Sequence, residues 1–139
     1  MLGVAGANDV LAAVAPSLAP GETVRACLAS AQTGPSPLFF LTSRLLAERF
    51  ALVVTDRQLL ALERGFVTGR VKQVLAVVPL AEVVIERWQP AKLWSTLRLR
   101  LGDDRLRLHV RPEQREDAEH LAFMLLASSF GSNRERVGA

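Results

Sequence analysis

The segment Phe50–Leu62, FALVVTDRQLLAL, sets the tightest limit on what this chain can fold into. Two aliphatic runs flank Thr55-Asp56-Arg57-Gln58, so the segment reads as a β-hairpin turning at Asp56 and Arg57. Successive side chains of a strand point to opposite faces, and a hairpin with one face in water therefore alternates apolar with polar residues. Ala51–Val54 and Leu59–Leu62 do not alternate, and Val74–Val78 downstream repeats the pattern. Both faces of these strands need cover, because left bare they would form an apolar patch larger than monomers expose. Cover can come from within, from an N-terminal helix or from Leu38-Phe39-Phe40-Leu41 with Leu45 and Leu46. It can also come from outside, from a second copy, another protein or a bilayer.

The last third of the chain behaves differently. In STLRLRL and RLRLHV, Leu97, Leu99, Leu101, Leu106, Leu108 and Val110 fall on one side, and Arg98, Arg100, Arg105, Arg107, His109 and Arg111 on the other. This hairpin is apolar on its inner face and wet outside.

With 139 residues the chain fits one domain, large enough to bury about two-thirds of its unfolded surface. Val10, Leu11, Val14 and Leu18 recur at helical spacing after Asn8 and Asp9, either of which suits a helix start. ETVRACLASAQ then alternates with Val24, Ala26, Leu28 and Ser30 on one face. After Gly34-Pro35-Ser36-Pro37, the segment LFFLTSRLLAERF reads as a loop carrying a short helix before the hairpin. Turns at Gly65–Gly69, Leu80–Glu82, Gln89–Lys92 and Gly102–Asp104 separate the remaining strands. Pro112 opens a closing helix with Glu113, Glu116 and Asp117 near its positive end, and Gly131 is placed to stop it. Ala118, Leu121, Ala122, Leu125 and Ser129 form one apolar face of that helix, and Phe123, Leu126 and Phe130 form a second flank that needs a neighbour. Seven short antiparallel strands hide their edges by closing on themselves, with the last helix as plug. The expected division is a helical lid over residues 1–20, a barrel with its helix over 21–130 and a disordered tail over 131–139.

Leu18-Ala19-Pro20-Gly21-Glu22, Val53-Val54-Thr55-Asp56-Arg57-Gln58-Leu59-Leu60 and Val78-Pro79-Leu80-Ala81-Glu82-Val83, taken with the element order, resemble the pleckstrin-homology-like superfold, in particular its small bacterial PH-like and GRAM-related members. The resemblance covers about residues 18–128. It implies a mainly β, PH-like seven-stranded antiparallel barrel or sandwich capped by a C-terminal α-helix, here with a short N-terminal helix added. The closing helix lacks the tryptophan that eukaryotic PH domains carry, and the first loop lacks their lysine-rich phosphoinositide signature. Headgroup binding is thus not carried over.

Charge and chemistry narrow the function classes. The formal net charge is +3, with Lys72 and Lys92 the only lysines. The arginine stripe Arg98, Arg100, Arg105, Arg107 and Arg111 reads first as a solvated face, partly neutralised by Glu86, and second as a contact for an anionic lipid surface. No aromatic side chain interleaves it as nucleic-acid stacking requires, so nucleic acid is set aside. Trp88 and Trp94 flank the Gln89–Lys92 turn and read as caps on the core. His109 and His120 have no second ligand at metal-binding spacing, no Gly-x-Ser-x-Gly elbow occurs, and Gly65-x-x-x-Gly69 is followed by Arg70 rather than the Lys-Ser/Thr of a phosphate loop. The expectation is no enzyme, no metal, no cofactor and no small-molecule substrate. Cys27, the single cysteine, reads as a small buried hydrophobe in a reducing compartment. The N-terminus lacks a secretion signal's basic start, and the uncharged run Ala26–Ser43 is broken by its prolines, so a cytoplasmic protein is expected.

Two function classes follow. One is a non-catalytic interaction module working by protein contact or self-association through the apolar sheet and through Phe123, Leu126 and Phe130. The other is peripheral attachment to an anionic membrane, with Leu38, Phe39, Phe40 and Leu41 as an apolar finger and the arginine stripe on the headgroups.

Overall fold

The computed structural model describes residues 2–33, 49–64 and 70–138. Helix α1 (Leu2–Val14) starts earlier than Asn8 and runs into a 3-10 turn at Ala15–Ser17, where Pro16 sits in the first turn and its missing amide costs nothing. Seven antiparallel strands follow: β1 (Val24–Thr33), β2 (Arg49–Thr55), β3 (Gln58–Arg64), β4 (Val71–Pro79), β5 (Val83–Gln89), β6 (Ser95–Leu101) and β7 (Asp104–Val110). A 3-10 turn at Pro112–Gln114 leads into the closing helix α2 (Arg115–Gly138). Gly131 does not end α2, since one interior glycine costs only about 1 kcal/mol relative to alanine. The expected loop-helix at 38–48 and the turn at 65–69 lie outside the described residues.

The strands form one sheet in the order β4-β3-β2-β1-β7-β6-β5. β1 pairs with β2 from Val24↔Thr55 to Gln32↔Arg49 and meets β7 at its far end, at Gln32↔His109 and Thr33↔Leu108. Irregularities between Val24 and Ala26 and between Leu28 and Ala31 let β1 bend from one half of the sheet into the other. They also change which residues face inward. Ala26 and Leu28 join the core, but Val24 turns to the outside with Cys27, and Ala31 rather than Ser30 points in.

The expected closure is corrected. β4 and β5 stand at opposite ends of the strand order, so the sheet is open rather than a closed barrel. The chain turns between them through Pro79 and the 3-10 turn Leu80–Glu82, and α2 packs against that turn, β5 and β1. A helix fills the corner that strand pairing would have closed.

The hairpin's alternation resolves into two apolar layers. Phe50, Leu52 and Val54 of β2 and Leu59 and Ala61 of β3 point into the main core, where Leu97, Leu99, Leu106, Leu108, Ala118, Leu121 and Leu125 meet them. The intervening Ala51, Val53, Leu60 and Leu62 point outward, where Val10 and Val14 of α1 cover them. All six side chains of this second cluster are fully buried, so α1 supplies the second face with its cover.

The turn joining β2 to β3 holds without glycine because Thr55, 1% exposed, organises it. Its hydroxyl oxygen accepts from the amides of Arg57 (3.1 Å) and Gln58 (3.0 Å) and donates to Glu22. Glu22 also accepts from the amide of Ala19 (2.9 Å), while Asp56 accepts from the amide of Thr23 (3.0 Å). The Thr55 hydrogen bond holds the Glu22 carboxyl below the usual range, and the Thr23 amide does the same for Asp56. Depressed carboxylate values add stability above the unfolded values, lost as pH falls through the folded ones. Thr55→Val leaves the part-buried amide hydrogen bonds of Arg57 and Gln58 without their acceptor and is expected to lower stability by about 1–3 kcal/mol in chemical denaturation. It should also flatten the acid limb of stability against pH. An unchanged acid limb would remove Thr55 from this role.

Candidate functional site

The exterior of β5, β6 and β7 is built from residues placed opposite one another by strand register. Arg98 lies across from Arg87 on one side and Arg107 on the other, so three arginines stand in a row over three strands. Arg100 lies across from Arg105 and Val84 in the adjoining row, and Thr96 lies between Gln89 and His109 on the other side. Arg87, Arg98, Arg100, Arg105 and Arg107 are all exposed. Like charges directly opposite on neighbouring strands destabilise a sheet by roughly 0.2–1 kcal/mol a pair. Arg87–Arg98, Arg98–Arg107 and Arg100–Arg105 are three such pairs.

Carboxylates stand near part of this field: Glu82 and Asp103 line a cavity together with Arg100 and Arg105. Glu86 approaches Arg105 at 4.0 Å, a separation at the outer limit of an ion pair. Arg87, Arg98, Arg105 and Arg107 with Glu86 and Leu106 border a cavity of about 560 Å³. Burial first and Arg107 second push the His109 imidazole below its ordinary value, which disfavours a further positive charge on this face.

Arg111, expected in the stripe, stands beyond the end of β7. Its guanidinium sits 5.6 Å over the ring of Trp94 and 3.9 Å from Glu113. Arg87 was not legible from alternation. Counting from Val83 and Ile85, which face inward, it should face the core, but an irregularity between Ile85 and Arg87 turns it outward and sends Trp88 in. The two tryptophans therefore part: Trp88 packs on the core, while Trp94 remains 43% exposed beside Leu93, which is 72% exposed.

The other expected contact residues are divided. Phe123 and Leu126 stand exposed on α2, on a flank apart from the buried Ala118, Leu121, Ala122 and Leu125. The side chain of Phe130 and the segment with Leu38, Phe39, Phe40, Leu41, Leu45 and Leu46 lie outside the described residues.

The remaining chemical groups are engaged structurally. Burial lifts the Cys27 thiol to about 11, which keeps it protonated and a poor nucleophile. His120 lies with its Nε2 3.0 Å from the carbonyl oxygen of Arg25, joining α2 to β1. Among the described residues no group of three or more His, Cys, Asp or Glu is arranged to hold a metal ion, and no helix is long and apolar enough to cross a membrane. No known protein-family model matches the chain, and neither does any curated protein.

Proposed function

We propose that this chain is a PH-like, non-catalytic binding module that presents the exterior of β5–β7 to an anionic ligand. The observation carrying this reading is the arginine row Arg87–Arg98–Arg107, in which like charges lie directly opposite across two strand boundaries. A sheet designed only for stability would alternate the signs, since opposite charges at such positions attract. Proteins depart from such local rules at functional sites, and that supports the reading. The strand order with β1 between β2 and β7, and a C-terminal helix on the core, supports the PH-like part of the proposal.

Retention on immobilised heparin, eluted with salt, tests the anion reading. Elution well above physiological ionic strength is expected, because several basic residues act together on one face. Passage without retention would overturn it.

A second reading, protein contact or self-association, rests on Phe123 and Leu126 exposed on one flank of α2. On the outer face of the first four strands α1 covers Ala51, Val53, Leu60 and Leu62, while Val77 of β4 is 48% exposed. Light scattering showing a mass above one 15.2 kDa chain would put this reading first.

A further inference from the structure

The flank of α2 that carries Phe123 and Leu126 is not apolar throughout. Glu116, Glu119, Phe123 and Leu126 follow one another at steps of three, four and three residues, the spacing of side chains that share one side of a helix. All four are exposed. Around the first two, residues 113–119 hold four carboxylates against the single Arg115, in a chain whose formal net charge is +3. Arg115 is taken up by Glu119, 3.2 Å away. The flank is thus acidic at one end and apolar at the other.

The exterior of β5–β7 carries the complementary pattern. Beyond the end of its arginine rows stand Leu93 and Trp94, both exposed, with the Arg111 guanidinium 5.6 Å over the indole. The turn that holds them is anchored, since the amide of Ala91 donates to the hydroxyl of the buried Ser95 (3.1 Å). From Trp94 to Arg98 is about 13 Å of extended chain, and from Phe123 back to Glu116 about 10 Å of helix. The two surfaces therefore set an apolar group and a charged group at comparable intervals, with opposite signs of charge.

We infer that the anion taken by the β5–β7 face is the acidic end of this flank on a second copy of the chain, with Phe123 and Leu126 set against Leu93 and Trp94. The inference rests on the anion-binding reading of that face and names the partner. A soluble polyanion would answer the arginines and leave four large apolar side chains in water. A second copy answers both: carboxylates meet guanidiniums, and the apolar groups cover one another. Arginine and tryptophan are among the residues that most often anchor such contacts. Because the two surfaces differ, the contact is head-to-tail, and each pair still offers one free flank and one free sheet face. Assembly continues beyond two copies unless a ring closes.

Two variants of the whole chain separate the halves of the contact. Phe123→Asp with Leu126→Asp spoils the helix flank and keeps the sheet face; Leu93→Asp with Arg98→Glu spoils the sheet face and keeps the flank. All four side chains are exposed, so both variants should unfold as cooperatively as the wild type. In light scattering after size exclusion, the wild type should show a mass above one chain that rises with concentration and falls with added salt. Each variant alone should associate about tenfold or more weakly. Their equimolar mixture should regain association and stop at two chains, because one intact flank meets one intact face. A wild type that stays a single chain up to its solubility limit would overturn the inference. So would a mixture no larger than its components, or a Leu93→Asp, Arg98→Glu variant that associates as well as the wild type, since flank would then be meeting flank. Heparin retention of the Phe123→Asp, Leu126→Asp variant, whose sheet face is free, checks the anion reading separately. Retention beside failed association would leave that reading standing; failed association without retention would remove both.

Discussion

Replacing Val10 by aspartate is expected to lower the unfolding free energy by about 3 kcal/mol or more and to lift α1 from the sheet. Val10 is fully buried against Ala51, Val53, Leu60 and Leu62. The substitution removes the roughly 1.5–3 kcal/mol gained by burying a valine, and it sets an unpaired charge in an apolar layer. The carboxylate escapes to water only if α1 detaches. The uncovered face then exposes four aliphatic side chains in a contiguous patch, so binding of a hydrophobic dye and self-association should both rise. Ala12→Asp places the same charge on the exposed side of the same helix and should change stability by no more than about 0.5 kcal/mol. If the two variants were equally stable, α1 would not be the cover of the hairpin's second face.

Arg98→Glu should move stability and binding in opposite directions. Arg98 lies between Arg87 and Arg107, so the substitution turns two repulsive cross-strand pairs into attractive ones. Each pair is worth a few tenths of a kcal/mol to about 1, and the melting temperature should rise accordingly. The anion loses a contact and gains a repulsion, a swing of two charges. At about 1 kcal/mol per charge near an anionic surface, affinity should fall about thirtyfold at moderate salt. Thermal unfolding and salt elution from heparin on one preparation read both effects. A variant that is more stable and binds as well as the wild type would show that the row is merely solvated.

What the sequence discloses and what it hides follow from one physical distinction. Periodicity reports on side chains wherever a strand keeps its regular pleat. β6 and β7 do so, and every inward leucine and outward arginine of that hairpin is legible. β2 and the start of β3 do so as well, which is why consecutive apolar residues announce two buried faces. Irregularities break the count. One extra residue exchanges the faces of everything after it, and the sequence around Glu86 carries no glycine or proline to mark the place. Alternation therefore does not disclose Arg87 as an outward residue, nor separate Trp88 from Trp94. Val24 and Ser30 both leave the inward face for the same reason, at the two irregularities of β1. Closure of the sheet is not legible for a different reason. Whether β4 meets β5 depends on the bend of β1 and on where α2 lodges, and both are tertiary events. The role of Thr55 was hidden by Asp56, since aspartate is the commoner local acceptor in turns and here reaches Thr23 instead.

The exterior of β5–β7 is the face proposed to bind an anion. Amide chemical-shift mapping of the labelled chain, titrated with short heparin oligosaccharides, tests it most directly. The predicted result is a set of shifts centred on Arg87, Arg98 and Arg107 and extending to Arg100, Arg105 and Arg111, with α1 and the strands beneath it unmoved. Shifts centred instead on α1 or on the Phe123–Leu126 flank of α2 would contradict the account.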